Sequence, residues 1–273
     1  MEQSISVGIG PFVISFKTKS ETLSFILRNR YKEYLKRPAK SGETVKAFLV
    51  AKPFNSIQSP RVLRGNNETV ITRNDFISRS KSRQGKTDLA VTGNRYSLDS
   101  WLRVFLSLRA LKRNGLLLHS AGWAMGKNTF IFAGESGRGK SSIIRILGKK
   151  NALSDELVLL YKKRGKEYFG CSTPFWGELS KGSGRLFDRK LKAIFFIRHS
   201  KNLELSKLSE SEAARGILKT SLFFSKHPAD NSKLLETAAK IARHTPAYEL
   251  GFSLNTPRSD ITRLLDEVSR WKK

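Results

Sequence analysis

The sequence predicts an α/β protein: a small β-rich amino-terminal region, residues 1–96, followed by a larger α/β domain, residues 97–273. Three observations carry this. Short β-prone runs bounded by Gly, Asn, Pro and Ser dominate the first third. Apolar residues at helical spacing alternate with apolar strand-like runs through the rest. Between one such strand and one such helix lies a glycine-rich octet, Gly134 to Ser141.

Taken in order, β-prone runs occur over 7–16, 45–50, 69–72 and 89–92. Between the first two, Ser20-Glu21-Thr22 is a capping sequence for a helix through Leu23, Phe25, Ile26, Leu27, Tyr31 and Tyr34, which Arg37-Pro38 ends. Residues 78–86 hold no apolar side chain and read as an exposed basic loop. Leu98, Trp101, Leu102, Phe105, Leu108 and Leu111 mark a helix stopped by Asn114-Gly115. Leu116–His119 followed by Ala121–Ala124, a Gly126-Lys127-Asn128 turn and the run Thr129–Ala133 together resemble a hairpin entering a sheet. Strands over 157–161, 168–169, 191–197 and 248–252 and helices over 210–224, 234–244 and from Thr256 complete the chain.

The octet reads Gly134-Glu135-Ser136-Gly137-Arg138-Gly139-Lys140-Ser141, with Ser142 beside it, a complete G-x-x-x-x-G-K-[ST] phosphate loop. The glycines let successive N–H groups turn inward, and the helix behind them offers the positive end of its dipole to an anion. Lys140 then serves a β- or γ-phosphate and the Ser141 hydroxyl a Mg²⁺ ion, so the motif points to ATP or a related triphosphate. Ile143, Ile144, Ile146 and Leu147 give the helix its apolar stripe, and Gly148 ends it. Fourteen residues beyond Ser141, Asp155-Glu156 opens an apolar strand and supplies the carboxylates that phosphoryl transfer needs.

Composition limits the alternatives. The formal charge is +28, and residues 1–150 hold 28 Lys/Arg against 9 Asp/Glu. That field attracts triphosphates and acidic co-substrates, and nucleic acid non-specifically if at all. No Cys/His finger, RNP-type strand or helix-turn-helix is present. One cysteine, Cys171, excludes an internal disulfide and a Cys-cluster metal site, and reads as a small buried residue. No apolar run reaches 18 residues and no signal-peptide pattern opens the chain, so a cytoplasmic protein without a transmembrane segment is expected. Oligomeric state stays open, a homo-oligomer included.

Leu118-His119-Ser120-Ala121, the loop, Leu153-Ser154-Asp155-Glu156 and Thr173-Pro174-Phe175-Trp176-Gly177-Glu178, in that order over 97–273, resemble the catalytic region of the HPr serine kinase family. The resemblance implies a fold similar to phosphoenolpyruvate carboxykinase. It also implies Asp155 as general base, Glu156 and Ser141 on the magnesium side, Lys140 on the phosphates and His119 near Asp155 or the γ-phosphate. The pair is Asp-Glu where those kinases carry Asp-Asp, and their Glu-Ile-Arg-Gly segment is absent, which sets HPr itself aside as acceptor. The expected activity is ATP- and Mg²⁺-dependent transfer of a phosphoryl group to a hydroxyl, first a serine of a protein or peptide, next a small molecule. A nucleotide-dependent polyanion-binding module competes with it, as does a scaffold that has lost transfer. Arg185, Arg189 and Arg198 are candidates to steady the transferring group. His199, His227 and His244 carry no motif, and no pair of them has metal-ligand spacing.

Overall fold

The computed structural model describes residues 1–39, 42–51, 58–81, 85–163, 165, 167–179 and 188–271. The protein is mixed α/β, with two eight-stranded sheets. It divides into two compact units, Met1–Arg109 with Phe223–Asn231, and Ala110–Leu222 with Ser232–Lys273.

The first unit is a single sheet. Its strands are β1 (Gln3–Ile9), β2 (Phe12–Thr18), β3 (Leu35–Lys36), β4 (Glu43–Leu49), β5 (Arg61–Arg64), β6 (Glu68–Arg73), β7 (Phe76–Lys81) and β8 (Lys86–Val91), in the order β3-β1-β2-β4-β8-β7-β6-β5. The β2–β4 and β4–β8 pairs are parallel. The expected β run over 7–16 is a hairpin, turned at Gly10 with φ 54°. Helix α1 (Glu21–Arg30) starts where Ser20 accepts the Leu23 N–H, but it ends four residues short of Tyr34. Lys32–Tyr34 form a 3₁₀ turn instead, because Tyr31 is buried and spends its hydroxyl on Asp99, 2.7 Å away. Residues 78–81, expected as exposed loop, lie in β7. Ser78 and Ser80 point inward, and the Ser78 hydroxyl accepts from the Trp101 indole at 2.8 Å, so small polar residues stand where apolar ones usually signal a strand. Helix α2 (Arg95–Lys112) contributes Trp101 and Phe105, stacked at 4.7 Å, and Trp101 meets Phe16 edge-on. Residues 223–231 join this unit through the Val62–Ser225 bridge and an Arg64–Asp230 ion pair.

The second unit holds β9 (Leu116–Met125), β10 (Asn128–Ala133), β11 (Ala152–Ser154), β12 (Leu157–Lys162), β13 (Tyr168–Cys171), β14 (Asp188–His199), β15 (Glu204–Lys207) and β16 (Ala247–Phe252), with helices α3 (Lys140–Leu147), α4 (Glu210–Thr220), α5 (Pro228–His244) and α6 (Arg258–Arg270). The hairpin expected over 116–133 is β9 with β10, and its first arm is one strand of ten residues. It is long because β10, β11 and β12 all pair along it. Pairings run β9–β10–β14–β13–β12 and back to β9, a closed circuit of five strands. On its flank β10, β14 and β16 are mutually parallel, and the unforeseen β15 adds antiparallel to β16. Ile143, Ile144 and Leu147 of α3 share one buried cluster with Phe132, Phe195, Leu250, Ile261 and Leu265, so the helix after the loop is seated on the parallel strands.

Candidate phosphate-binding site

Parallel strands bring their carboxyl ends to one edge, where ligands of α/β sheets usually bind. Here that edge carries Ala133 of β10, His199 of β14 and Phe252 of β16, and β10 runs straight into the Gly134–Ser141 loop. The loop bends through two left-handed glycines, Gly137 at φ 79° and Gly139 at φ 99°. Gly139 is the N-cap of α3, whose first-turn amides have no acceptor inside the helix. A β-carbon on Gly139 would lie 3.1 Å from the Phe252 ring, so this position is closed by packing as well as by backbone angle.

Lys140 is buried and its ammonium donates to the carbonyls of Gly134 and Glu135, at 2.9 and 2.8 Å. Burial lowers its pKa from the ordinary lysine value, and the carboxylates of Asp155, Glu156 and Glu178 act against that. Glu135 and Arg138 are exposed and 3.9 Å apart, and the Arg138 N–H donates to the Glu135 carbonyl. Ser136 and Ser142 stay in the loop and the first turn of α3, where the motif places them.

Asp155 is 3% exposed and its carboxylate accepts three donors: the Ser141 hydroxyl at 3.1 Å, the Gly177 N–H at 2.9 Å and the Leu179 N–H at 3.0 Å. The turn that presents it is tied by Ser154, whose hydroxyl accepts from the N–H groups of Glu156 and Leu157 and donates to the Phe175 carbonyl. Thr173 donates to the Leu157 carbonyl and Phe175 is fully buried. The Thr-Pro-aromatic segment is therefore the clamp that fixes Asp155. Glu156 is less buried, and its carbonyl accepts the Ser120 N–H of β9. His119 precedes Ser120 and stands opposite Leu157 in the β9–β12 ladder, so it adjoins the acidic turn.

His199, which the sequence leaves without a role, hydrogen-bonds the Gly137 carbonyl through Nε2 at 3.0 Å. The signal for it was positional: it closes the apolar strand that runs parallel to the loop strand. Arg198, at the loop end of β14, has its guanidinium engaged by Glu249 and Glu204, and Arg189 sits at the far end of the strand. Arg185 lies outside the described residues. Glu178 pairs with Arg145 at 2.9 Å on the surface.

Ser141 and Asp155 are hard oxygen donors in contact, a set that suits Mg²⁺ more than a soft metal. Among the described residues no three His, Cys, Asp or Glu side chains gather as a ready-made metal site. An ion held here would take its remaining ligands from phosphate and water. Cys171 is buried and its thiol donates to the Ser172 carbonyl, and among the described residues no helix is long and apolar enough to cross a membrane.

Comparison with curated proteins gives no match. A family model does match, over residues 97–261, which takes in all but the first two residues of α2, the loop, the acidic turn and its clamp, and the three parallel strands. That span is more than half of the 273 residues, and the chain belongs to the family described as SynChlorMet cassette protein ScmC.

Proposed function

We propose that the second unit binds ATP with Mg²⁺ and transfers the γ-phosphoryl group to a hydroxyl, that of a serine in a protein or peptide before that of a small molecule. The contact of Ser141 with a buried, triply hydrogen-bonded Asp155, at the mouth of a glycine loop on parallel strand ends, carries this reading. A phosphate loop built only as a tight turn has no use for a buried carboxylate against its serine, whereas phosphoryl transfer does. The resemblance to the HPr serine kinase family adds support.

The contact also leads us to exchange the two acids. Asp155 is spent on Ser141 and two amides, which suits a group that steadies the magnesium side and leaves it poorly placed to take a proton. Glu156, less buried and close enough to act on the Lys140 charge, suits the proton acceptor, with His119 beside it. Lys140 and the loop amides neutralise phosphate charge, and Mg²⁺ supplies electrostatic stabilisation of the leaving phosphates when bound.

The test is Mg-ATP titration calorimetry on Lys140→Ala, with circular dichroism to establish the fold. Loss of binding by a folded variant supports the reading. Unchanged affinity removes it.

One observation favours the polyanion reading as a second: on the first unit's sheet, Lys46, Lys81 and Lys86 are exposed on adjoining strands beside exposed Phe48 and Ile77, with Asp88 between Lys46 and an Arg79 that pairs with Glu68. Basic residues interleaved with apolar ones on an open sheet suit a single-stranded nucleic acid.

A further inference from the structure

At the opposite end of β16 from the phosphate loop, the second unit contains a cavity of about 280 Å³. Its floor is Ala213, Ala242, Ala247 and Val268, and one wall is the Tyr248 ring, which meets Trp271 with centroids 5.8 Å apart. The lining is apolar save for a few groups. Thr245 and Tyr248 are 2% and 5% exposed, and their hydroxyls, which no group among the described residues bonds, keep their small accessible surface on the cavity side. Burial raises the Tyr248 phenol from its ordinary value. Lys207, at the rim, is engaged by no carboxylate among the described residues. Glu210, also at the rim, faces Arg243 at 3.8 Å.

With no protein partner, these two hydroxyls are met by water or by a ligand atom inside the cavity. Two such hydroxyls on one small apolar space, with the Lys207 side chain at its rim, make the arrangement of a ligand pocket: apolar walls, a flat aromatic face and few polar groups. The volume lies at the small end of such pockets. A β-strand rises about 3.3 Å per residue, so the six residues of β16 put this cavity about 16 Å from Phe252 and the loop.

The geometry points to a second binding site, for a small carboxylate with an apolar, preferably planar body. The carboxylate meets Lys207 and the hydroxyls of Thr245 and Tyr248, and the body lies on Tyr248 and Trp271 among the alanines. This site is separate from the phosphate loop, and its test uses no nucleotide, so it stands or falls apart from the kinase reading.

The experiment is methyl NMR on the full chain labelled at alanine, titrated with butyrate, hexanoate, 3-phenylpropionate and indole-3-propionate, each beside its primary alcohol. At least one carboxylate should shift the methyls of Ala213, Ala242 and Ala247 saturably and bind about 3- to 10-fold more tightly than its alcohol. Lys207→Met, at an exposed residue that does not disturb the fold, should bring acid and alcohol together. Ala242→Leu, checked for retained melting temperature, should fill the space and abolish the shifts. No shift of these methyls by any carboxylate at about 10 mM, or alcohols bound as tightly as acids, overturns the proposal.

Discussion

Replacing Asp155 by Asn tests the site at its most constrained atom pair. The carboxylate offers two oxygens to three donors: Oδ2 takes the Ser141 hydroxyl and the Leu179 N–H, and Oδ1 takes the Gly177 N–H. An asparagine keeps one oxygen. If it stays on the Ser141 side, the new NH₂ group faces the Gly177 N–H, and a buried donor is left without an acceptor. At 3% exposure water cannot substitute, so the loss should be about 1–3 kcal/mol. For a unit of this size that is a fall in melting temperature of about 2–12 °C, which differential scanning calorimetry reads directly. The same change removes one negative charge beside Ser141. If Asp155 serves the magnesium side, half-maximal activity should need about 10- to 100-fold more Mg²⁺, and excess metal should restore most of the turnover. Glu156→Gln should differ in both respects: near-normal melting, and a loss of transfer of about 10²-fold or more that Mg²⁺ does not repair. An Asp155→Asn protein that melts like the parent would refute the hydrogen-bond argument. A metal-insensitive loss of turnover in that variant, with a metal-rescued Glu156→Gln, would return the proton to Asp155.

Three further outcomes follow from the geometry. His199→Ala should leave stability unchanged, since the ring is exposed, but should weaken Mg-ATP binding by up to about 10-fold, because one hydrogen bond to the Gly137 carbonyl holds the loop; His199→Gln, which keeps a donor, should recover part of it in calorimetry. Gly115→Ala places a β-carbon 2.5 Å from the Leu160 carbonyl, a backbone atom that cannot turn aside, so it should cost about 1–3 kcal/mol in denaturant unfolding, while Gly126→Ala meets nothing within 4 Å and should cost only the strain of its φ of 57°. If the first unit's sheet binds single-stranded nucleic acid, its affinity should fall steeply with salt in a filter-binding series, and Lys46→Glu with Lys81→Glu should weaken it further; binding that ignores both salt and these charges would exclude the exposed sheet face.

The parts of this molecule that were legible in its sequence are those where one residue type answers one physical need. Gly137 and Gly139 must be glycine for the loop to bend, Lys140 and Ser141 follow at fixed spacing, and the Phe130-Ile131-Phe132-Ala133 run ahead of them has to be a buried strand. What stayed hidden depends on partners far away in the chain. Ser78 and Ser80 look like loop residues until Trp101 donates to one and Thr87 bonds the other. The clamp on Asp155 is made of the N–H groups of Gly177 and Leu179, and no side-chain pattern records where a backbone amide will point. His199 is one histidine among four, and only the parallel pairing of β14 with β10 carries it to the Gly137 carbonyl.

The role of the acid pair shows the same division. Spacing in the sequence places two carboxylates near the loop and cannot rank them, because both lie in one turn and both reach Lys140 electrostatically. The ranking comes from geometry: the acid that already accepts three hydrogen bonds is committed to Ser141 and two backbone amides. A carboxylate so held is suited to steady a cation, and its less buried neighbour is left as the base. Of the three bonds, the one from Ser141 at 3.1 Å ties Asp155 to the phosphate loop itself.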